Sequence, residues 1–499
     1  MSPGRFLALF LAAATGLRWS WNLARPLSAE QAYLALCGFI PSPAYFDGPG
    51  GTPWLVACGI SVAGPGGFGA TFFWPLLAAL ASIASYFLVY SLVAKREGLA
   101  VAVLLNLLPV FNDAALHATC AMPLTTAALA SLFCAWQALD RNSGAWWFAT
   151  GLCAAFGLLF SYTAWFLLPV VTLVLVVSHR WRPRLPSAGF WVAWLPPLAV
   201  YVVLLQWNAQ HGWIHFIGGT WKTALNLHFS NLAPSLISAG HAVTPFVLIA
   251  LAIAAATAFA RIGVSPKIKF VTLPALAALL AALYAALRGL PTLSPGLLAA
   301  ALTLPLLAWL PPQVFRVPTH MLTVIVFLSA ALWCAFTLPR PEVKGFIDAN
   351  VGRTIDDIRA EQSDPVAPPL LLIAENAPMA AALALALPDV TPAAPGHPPV
   401  YTVESAAARS QFDLWPRYDQ FVEADVPDAA ADLDPFTEQD GANPFVGRSA
   451  LYITVQQPDD LPQAITAAFT AVEPIAEVTT PDGRILRVYL CSDYQTMPL

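Results

Sequence analysis

Charge is what this 499-residue sequence has least of. Only 11% of its residues are charged, against 58% hydrophobic, whereas about a quarter of a soluble domain is charged. Acidic residues are scarcest early on: Glu30, Asp47, Glu97, Asp113 and Asp140 are the only five before residue 340. A cysteine framework is missing too. The seven cysteines (Cys37, Cys58, Cys120, Cys134, Cys153, Cys334 and Cys491) form no CxxC pair and accompany no His-rich spacing, which argues against a zinc site or a disulfide scaffold. Most stand in apolar runs, where Cys acts as a small hydrophobe; Cys37 and Cys58 are the one pair placed to bridge. From Arg340 onward the balance reverses, with 24 acidic residues against nine basic and a formal charge of about −15. A soluble part that acidic excludes nucleic-acid binding.

What is present in their place is a series of long apolar runs. A helix needs ~20 apolar residues to cross a bilayer. Such runs fall near 6–22, 70–93, 98–115, 118–138, 145–160, 163–178, 188–206, 241–260, 270–287, 291–311 and 318–338, predicting a polytopic α-helical membrane protein of about 11 transmembrane helices. Ser161-Tyr162-Thr163 reads as a tight outer turn between two of the shorter ones. The first run also has the length of a signal peptide, but Arg18-Trp19-Ser20-Trp21 after it reads as an interfacial anchor.

Orientation follows from the basic residues. A cytoplasmic N-terminus puts Arg5, Lys95, Arg96, Arg141, Arg180, Arg182, Arg184, Arg261, Lys267, Lys269 and Arg316 inside, and only Arg18, Arg25, Lys222 and Arg288 outside. An odd number of spans then carries residues 341–499 to the extracytoplasmic side. The predicted division is a membrane domain at 1–340, with outer loops 23–69 and 207–240, and a small α/β domain at 341–499. Within the latter, Leu370–Ala374, Val400–Val403, Leu451–Val455 and Ile485–Leu490 read as strands. Residues 376–387 and 461–471 read as helices after a linker helix near 342–362, and the Pro- and Asp-rich stretch 424–446 reads as a surface loop.

Ionisable groups at membrane depth are costly and point to function. Glu97 and Asp140 fall on the cytoplasmic side among basic neighbours and need only a topological explanation. Glu30, Asp47 and Asp113 fall on the outer side, where a carboxylate can serve as a general base toward an acceptor hydroxyl or amine; capping a helix or facing water is the plainer role. Arg18, Arg25, Lys222 and Arg288, with His117, His211 and His215, are candidates to hold an anionic leaving group such as a lipid phosphate. For Arg18, beside two Trp residues, anchoring of a helix end fits better.

Four segments carry a resemblance. They are Ala29-Glu30-Gln31-Ala32-Tyr33; Tyr45-Phe46-Asp47-Gly48-Pro49 with Trp54-Leu55; Phe160-Ser161-Tyr162-Thr163-Ala164; and Trp207-Asn208-Ala209-Gln210-His211-Gly212-Trp213. Together the chain resembles the polyprenyl-phosphate-sugar-dependent glycosyltransferases of family 39, which have the GT-C fold and include protein O-mannosyltransferases and aminoarabinose transferases. Ser410-Gln411-Phe412-Asp413-Leu414-Trp415 and Val488-Tyr489-Leu490-Cys491 resemble the soluble domain of bacterial members. The resemblance implies transfer of a sugar from a polyprenyl-phosphate carrier to an extracytoplasmic lipid, glycan or protein acceptor, with inversion, at the bacterial inner membrane. It implies Glu30 as the base, with Asp47 and Asp113 beside it, and Tyr33, Tyr45, Tyr162, Asn208, His211, Trp213 and Lys222 as substrate contacts. It names no cofactor and leaves room for a divalent metal. Gln31, Gly48-Pro49-Gly50, Cys120-Ala121-Met122-Pro123 and Ser161 depart from the family pattern. They keep a second reading open: a non-catalytic relative that binds a polyprenyl lipid or a partner protein.

Overall fold

The computed structural model describes residues 2–23, 25–217, 227–263, 265–290, 293–309, 347–363, 368–387, 392, 394, 396–405, 408–419, 443–457 and 461–495. The run at 318–338, Lys222, and most of the stretch 424–446 lie outside them. The chain divides into two compact units. One is Met1–Ala24, Pro41–Ala44 and Gly48–Glu342; the other is Arg25–Ile40, Tyr45–Asp47 and Val343–Leu499.

The first unit is helical. Among the described residues, four helices are long and apolar enough to cross a bilayer: Gly67–Leu92, Ala121–Arg141, Ala188–Gln210 and Pro266–Arg288. Two bent pairs bring the number to six, and shorter apolar helices occupy Gly51–Ala63, Gly144–Leu158, Tyr162–Val177 and Leu293–Trp309. The run expected to cross as one helix at 98–115 is broken into Lys95–Leu107 and Pro109–Leu116, bent by 65°. Pro109 lacks an N–H and forces the residue before it out of helical geometry, and Leu108 is indeed extended. Helices approach closely where a side chain is missing. A Cβ on Gly151 would stand 2.2 Å from the Ala193 carbonyl oxygen, the small-residue contact expected of helices packing in lipid.

Several of the basic residues expected on the cytoplasmic side cap helix C-termini. Lys267 Nζ donates to the Leu92 carbonyl at 2.9 Å, Lys269 Nζ to that of Val177 at 3.4 Å, and Arg182 Nη2 to that of Val176 at 2.9 Å. Cations suit the negative end of a helix dipole. Trp19 marks the opposite end of the Phe73–Leu92 helix, its indole N–H donating to the Phe72 carbonyl at 3.0 Å.

The second unit is a mixed five-stranded sheet with helices against it. Its strands are β1 (Leu371–Ala374), β2 (Tyr401–Thr402), β3 (Ala450–Thr454), β4 (Phe469–Thr479) and β5 (Ile485–Tyr494), in the order β2-β1-β3-β5-β4. β1 runs parallel to β2 and β3, while β5 is antiparallel to β3 and β4. Alternate residues feed two cores. Leu372, Ala374, Leu451, Ile453, Leu486 and Val488 pack under helices. Leu371, Ile373, Tyr452, Tyr489, Cys491 and Tyr494 pack in an aromatic cluster. With both faces covered, β1 and β3 are buried throughout.

Two corrections concern this unit. The helix expected at 461–471 is a single turn, Gln463–Thr466, followed by β4. Alanine-rich composition favours a helix there, but pairing with β5 outweighs propensity; Pro474 is accommodated because β4 is an edge strand with an irregularity at Pro474/Ala476. The second correction is larger. The first-loop helix Ala29–Phe39 buries Ala32 and Leu36 in the same core as Met379, Leu383, Val351 and Ile355, so it belongs to the C-terminal unit although more than 300 residues separate them in sequence.

Candidate active site

The first-loop segments place one carboxylate with care. Ser28 caps the helix Ala29–Phe39: its hydroxyl accepts from the Gln31 N–H, and Gln31 Oε1 accepts from the Ser28 N–H. That capping box explains Gln31, one of the departures from the family pattern, as a helix-start residue. Two residues on, the Tyr33 hydroxyl donates to Asp47 Oδ2 at 2.7 Å and accepts from the Gln411 backbone N–H at 3.0 Å. Gln411 Oε1 in turn accepts from the Phe46 N–H at 2.8 Å. Burial, reinforced by Cys37 and Asp47 nearby, pushes the Tyr33 phenol far above its ordinary range, so the hydroxyl stays protonated and donates. Tyr45 is buried, its hydroxyl bonded to the Ile40 carbonyl at 2.9 Å, so that it braces the first loop. Glu30 stands exposed in the first helical turn, where the dipole favours its negative charge.

Gln411 is a site residue that the sequence reading did not single out. Its signal was the Ser410-Gln411-Phe412-Asp413 segment, which resembles the soluble domain of bacterial relatives. Phe412 stacks against Tyr33 with centroids 6.3 Å apart, and Asp413 accepts from the Ser410 N–H in a second capping box. Cys37 and Cys58, the one pair placed to bridge, are both free.

In the membrane unit, the Trp-Asn-x-Gln-His-Gly-Trp segment folds into an aromatic cluster. Asn208 Nδ2 donates to the Tyr162 hydroxyl at 2.9 Å, and that hydroxyl lies 2.8 Å from His215 Nδ1. Asn208 Oδ1 accepts from the His215 backbone N–H at 3.3 Å. Trp207 stacks on both His211 and His215, with centroids 4.0 Å and 5.1 Å away, and its indole donates to Ser42 Oγ at 3.0 Å. Gly212 and Trp213 take positive φ, 62° and 56°, and turn the chain so that the Trp213 N–H reaches the Asn208 carbonyl at 2.7 Å. Ser161, where the family has Lys, accepts from the Thr163 N–H at the start of the Tyr162–Phe166 turn.

Asp113 is not joined to that cluster by any hydrogen bond or ion pair among the described residues. It pairs with His117, one turn later, at 3.1 Å. Arg288 is engaged by Tyr284 on its own helix, 3.2 Å from the hydroxyl. Arg18, expected as an interfacial anchor, is instead buried at 5% exposure with its guanidinium on Asn106 and Asn112. The same unit contains an apolar cavity of about 400 Å³ lined by Leu236, Ala239, Leu251, Leu283 and Ala300, with Ser235, Ser238 and Thr303 as its polar points. Among the described residues no group of three or more His, Cys, Asp or Glu side chains is placed to hold a metal.

With that geometry in view, the comparisons with known proteins fall into place. Residues 47–207 match a family profile described as dolichyl-phosphate-mannose-protein mannosyltransferase. No curated protein matches the sequence. Among solved structures, ArnT from Cupriavidus metallidurans bound to undecaprenyl phosphate is similar over 98% of either chain, at 13% identity and a TM-score of 0.58. The apo form of the same enzyme is similar over 98% of either chain, at 15% identity and a TM-score of 0.58. The profile match begins at the carboxylate that Tyr33 holds and ends at the indole stacked on two histidines. The chain is thus a multi-pass membrane protein with the GT-C glycosyltransferase fold of ArnT and a small soluble α/β unit after its membrane helices.

Proposed function

We propose that this protein is a membrane glycosyltransferase that moves a sugar from a polyprenyl-phosphate carrier to an extracytoplasmic lipid, glycan or protein acceptor, inverting the anomeric carbon. The observation that carries the reading is the profile match over residues 47–207, which spans Asp47, Asp113, Tyr162 and Trp207. In this mechanism Glu30 is the general base. It is exposed and makes no hydrogen bond or ion pair among the described residues, so nothing competes for the proton it must take. Asp47 is an orienting group, because the Tyr33 hydroxyl already occupies one of its oxygens. Tyr162, His211 and Trp213 offer hydrogen bonds and ring faces to a sugar, and Asn208, fully buried, holds the Tyr162 hydroxyl in place. The apolar cavity of about 400 Å³ is suited to an isoprenoid chain. The protein sits in the bacterial inner membrane with its N-terminus cytoplasmic and its C-terminal unit outside, the orientation the basic residues favour.

The test is transfer of labelled sugar from a panel of polyprenyl-phosphate donors in membranes containing the protein, with Glu30→Gln beside it. Transfer that vanishes in the variant supports both enzyme and base. Transfer that persists keeps the enzyme and removes Glu30 from its role. Absence of transfer across the panel favours the non-catalytic relative, for which binding of the lipid carrier alone is then the measurement.

A further inference from the structure

Arg18 is the most deeply buried cation among the described residues of the membrane unit, and no carboxylate pairs with it there. Its Nε and Nη2 donate to Asn112 Oδ1 at 3.1 and 2.7 Å, and Nη2 also reaches Asn106 Oδ1 at 2.9 Å. The guanidinium lies 5.6 Å from the Phe111 ring centroid, and Nη1 is buried without a partner. A charge placed this way costs desolvation free energy that two amides and a ring only partly return. An apolar side chain of similar volume would be the cheaper filler, so stability alone does not account for Arg18.

Its partners show what it does. Asn106 and Asn112 stand on either side of the break at Leu108–Pro109. Asn112 Nδ2 donates to the Asn106 carbonyl at 2.7 Å, satisfying an acceptor exposed by the break, and also reaches the Leu108 carbonyl at 3.1 Å. Asn106 Nδ2 donates to Ser82 Oγ at 2.7 Å, which ties the bracket to a third helix. Four segments, carrying Arg18, Ser82, Asn106 and Asn112, are thereby locked around one kink. The next residue after Asn112 is Asp113, on a helix of only eight residues, Pro109–Leu116. The direction of so short a helix is set by the break before it.

We propose that Arg18 is a positioning residue: through Asn112 it sets the angle of the Pro109–Leu116 helix, and so where the Asp113–His117 pair stands during sugar transfer. The inference rests on the transferase reading for its catalytic consequence and on the fold alone for its geometry, and the two parts are separately measurable. In a cysteine-free full-length background, Asp113→Cys is labelled with a membrane-impermeant maleimide, with and without Arg18→Met. The labelling rate is expected to change at least about fivefold, with Arg18→Lys in between because it keeps charge but loses the planar fork. In the transfer assay Arg18→Met is expected to lower kcat about tenfold or more with KM within about twofold. Added to Asp113→Asn it should cost nothing further, since both act through one group. An unchanged labelling rate, or losses that multiply in the double variant, would overturn the proposal. If Arg18→Met fails to fold, Arg18→Lys carries the same comparisons. If the unsubstituted protein transfers no sugar, the transferase reading falls while labelling still decides whether Arg18 sets the helix.

Discussion

Two polar clusters in this molecule are built on opposite principles. In the C-terminal unit, the first-loop carboxylate Asp47 is held by a phenol that is itself held by a backbone N–H from Gln411. In the membrane unit, Tyr162, Asn208 and His215 bond to one another, and Trp207 stacks on two imidazoles; none of these contacts involves a carboxylate. The difference follows from solvent. Where water is near, a charge keeps its hydration and costs little, as at the exposed Glu30. Charges are few in the membrane unit, where burial at membrane depth makes them costly, and the polar groups of its outer turn and loop pair as dipoles and ring faces. Arg18 is the exception, and it is bracketed on all but one nitrogen.

The comparison breaks most sharply at Glu30. If Glu30 is the base, Glu30→Gln lowers kcat by about 10²–10⁴ with KM little changed, measured as single-turnover transfer; a loss below tenfold would move the base elsewhere. Next comes the docking of the first loop. Leu36→Asp puts a charge into the core shared with Met379 and Leu383 and should cost about 3 kcal/mol or more. Limited proteolysis should then cut within residues 25–40, and an uncut segment would contradict the assignment of this helix to the C-terminal unit. A smaller effect is expected at Tyr33→Phe, which removes one donor from Asp47 and should reduce kcat/KM about tenfold. Tyr162→Phe, which removes the hydroxyl joining Asn208 and His215, should raise KM a few fold and leave kcat nearly unchanged. Equal effects of the two Tyr variants on kcat would erase the distinction between the clusters.

The smallest effect concerns pH. Burial raises the Glu404 carboxyl above its ordinary range, while the Tyr494 hydroxyl and Arg417 pull the other way. A carboxyl whose folded value is raised binds more protons in the native state, so its contribution is present at low pH. That contribution is lost as pH rises through the raised value. Hydrogen exchange in β3 and β5 should therefore slow in Glu404→Gln at neutral pH, with the difference vanishing in acid. Exchange that is faster at neutral pH would show that the ionised form is the favoured one.

Much of the helical half was legible because its signals are local. Apolar runs located most of the helices between 67 and 309, though not Leu232–Val243, which falls largely in the stretch read as an outer loop, and the Trp207–Trp213 segment located a polar cluster. The structure adds the helix caps at Ser28 and at Asp348, where Asp348 Oδ1 accepts from the Asn350 and Val351 N–H groups. The break at Leu108 was also within reach, since Pro109 cannot continue a helix from Leu108 in regular geometry. The strand Phe469–Thr479 was not, because Gln463-Ala464-Ile465-Thr466-Ala467-Ala468 has good helix formers and only pairing with β5 decides the matter.

What the sequence by itself determined is set by solvent: which segments enter lipid, which carry the acid-rich soluble unit, and which motif residues are polar. Transfer free energies act residue by residue, so they can be read along the chain. What only the tertiary structure decided is partnership. The helix Ala29–Phe39 joins a core formed more than 300 residues later, Gln411 steadies Tyr33, and Arg18 brackets the kink before Asp113. Each depends on side chains distant in sequence meeting at one place, which no local pattern encodes.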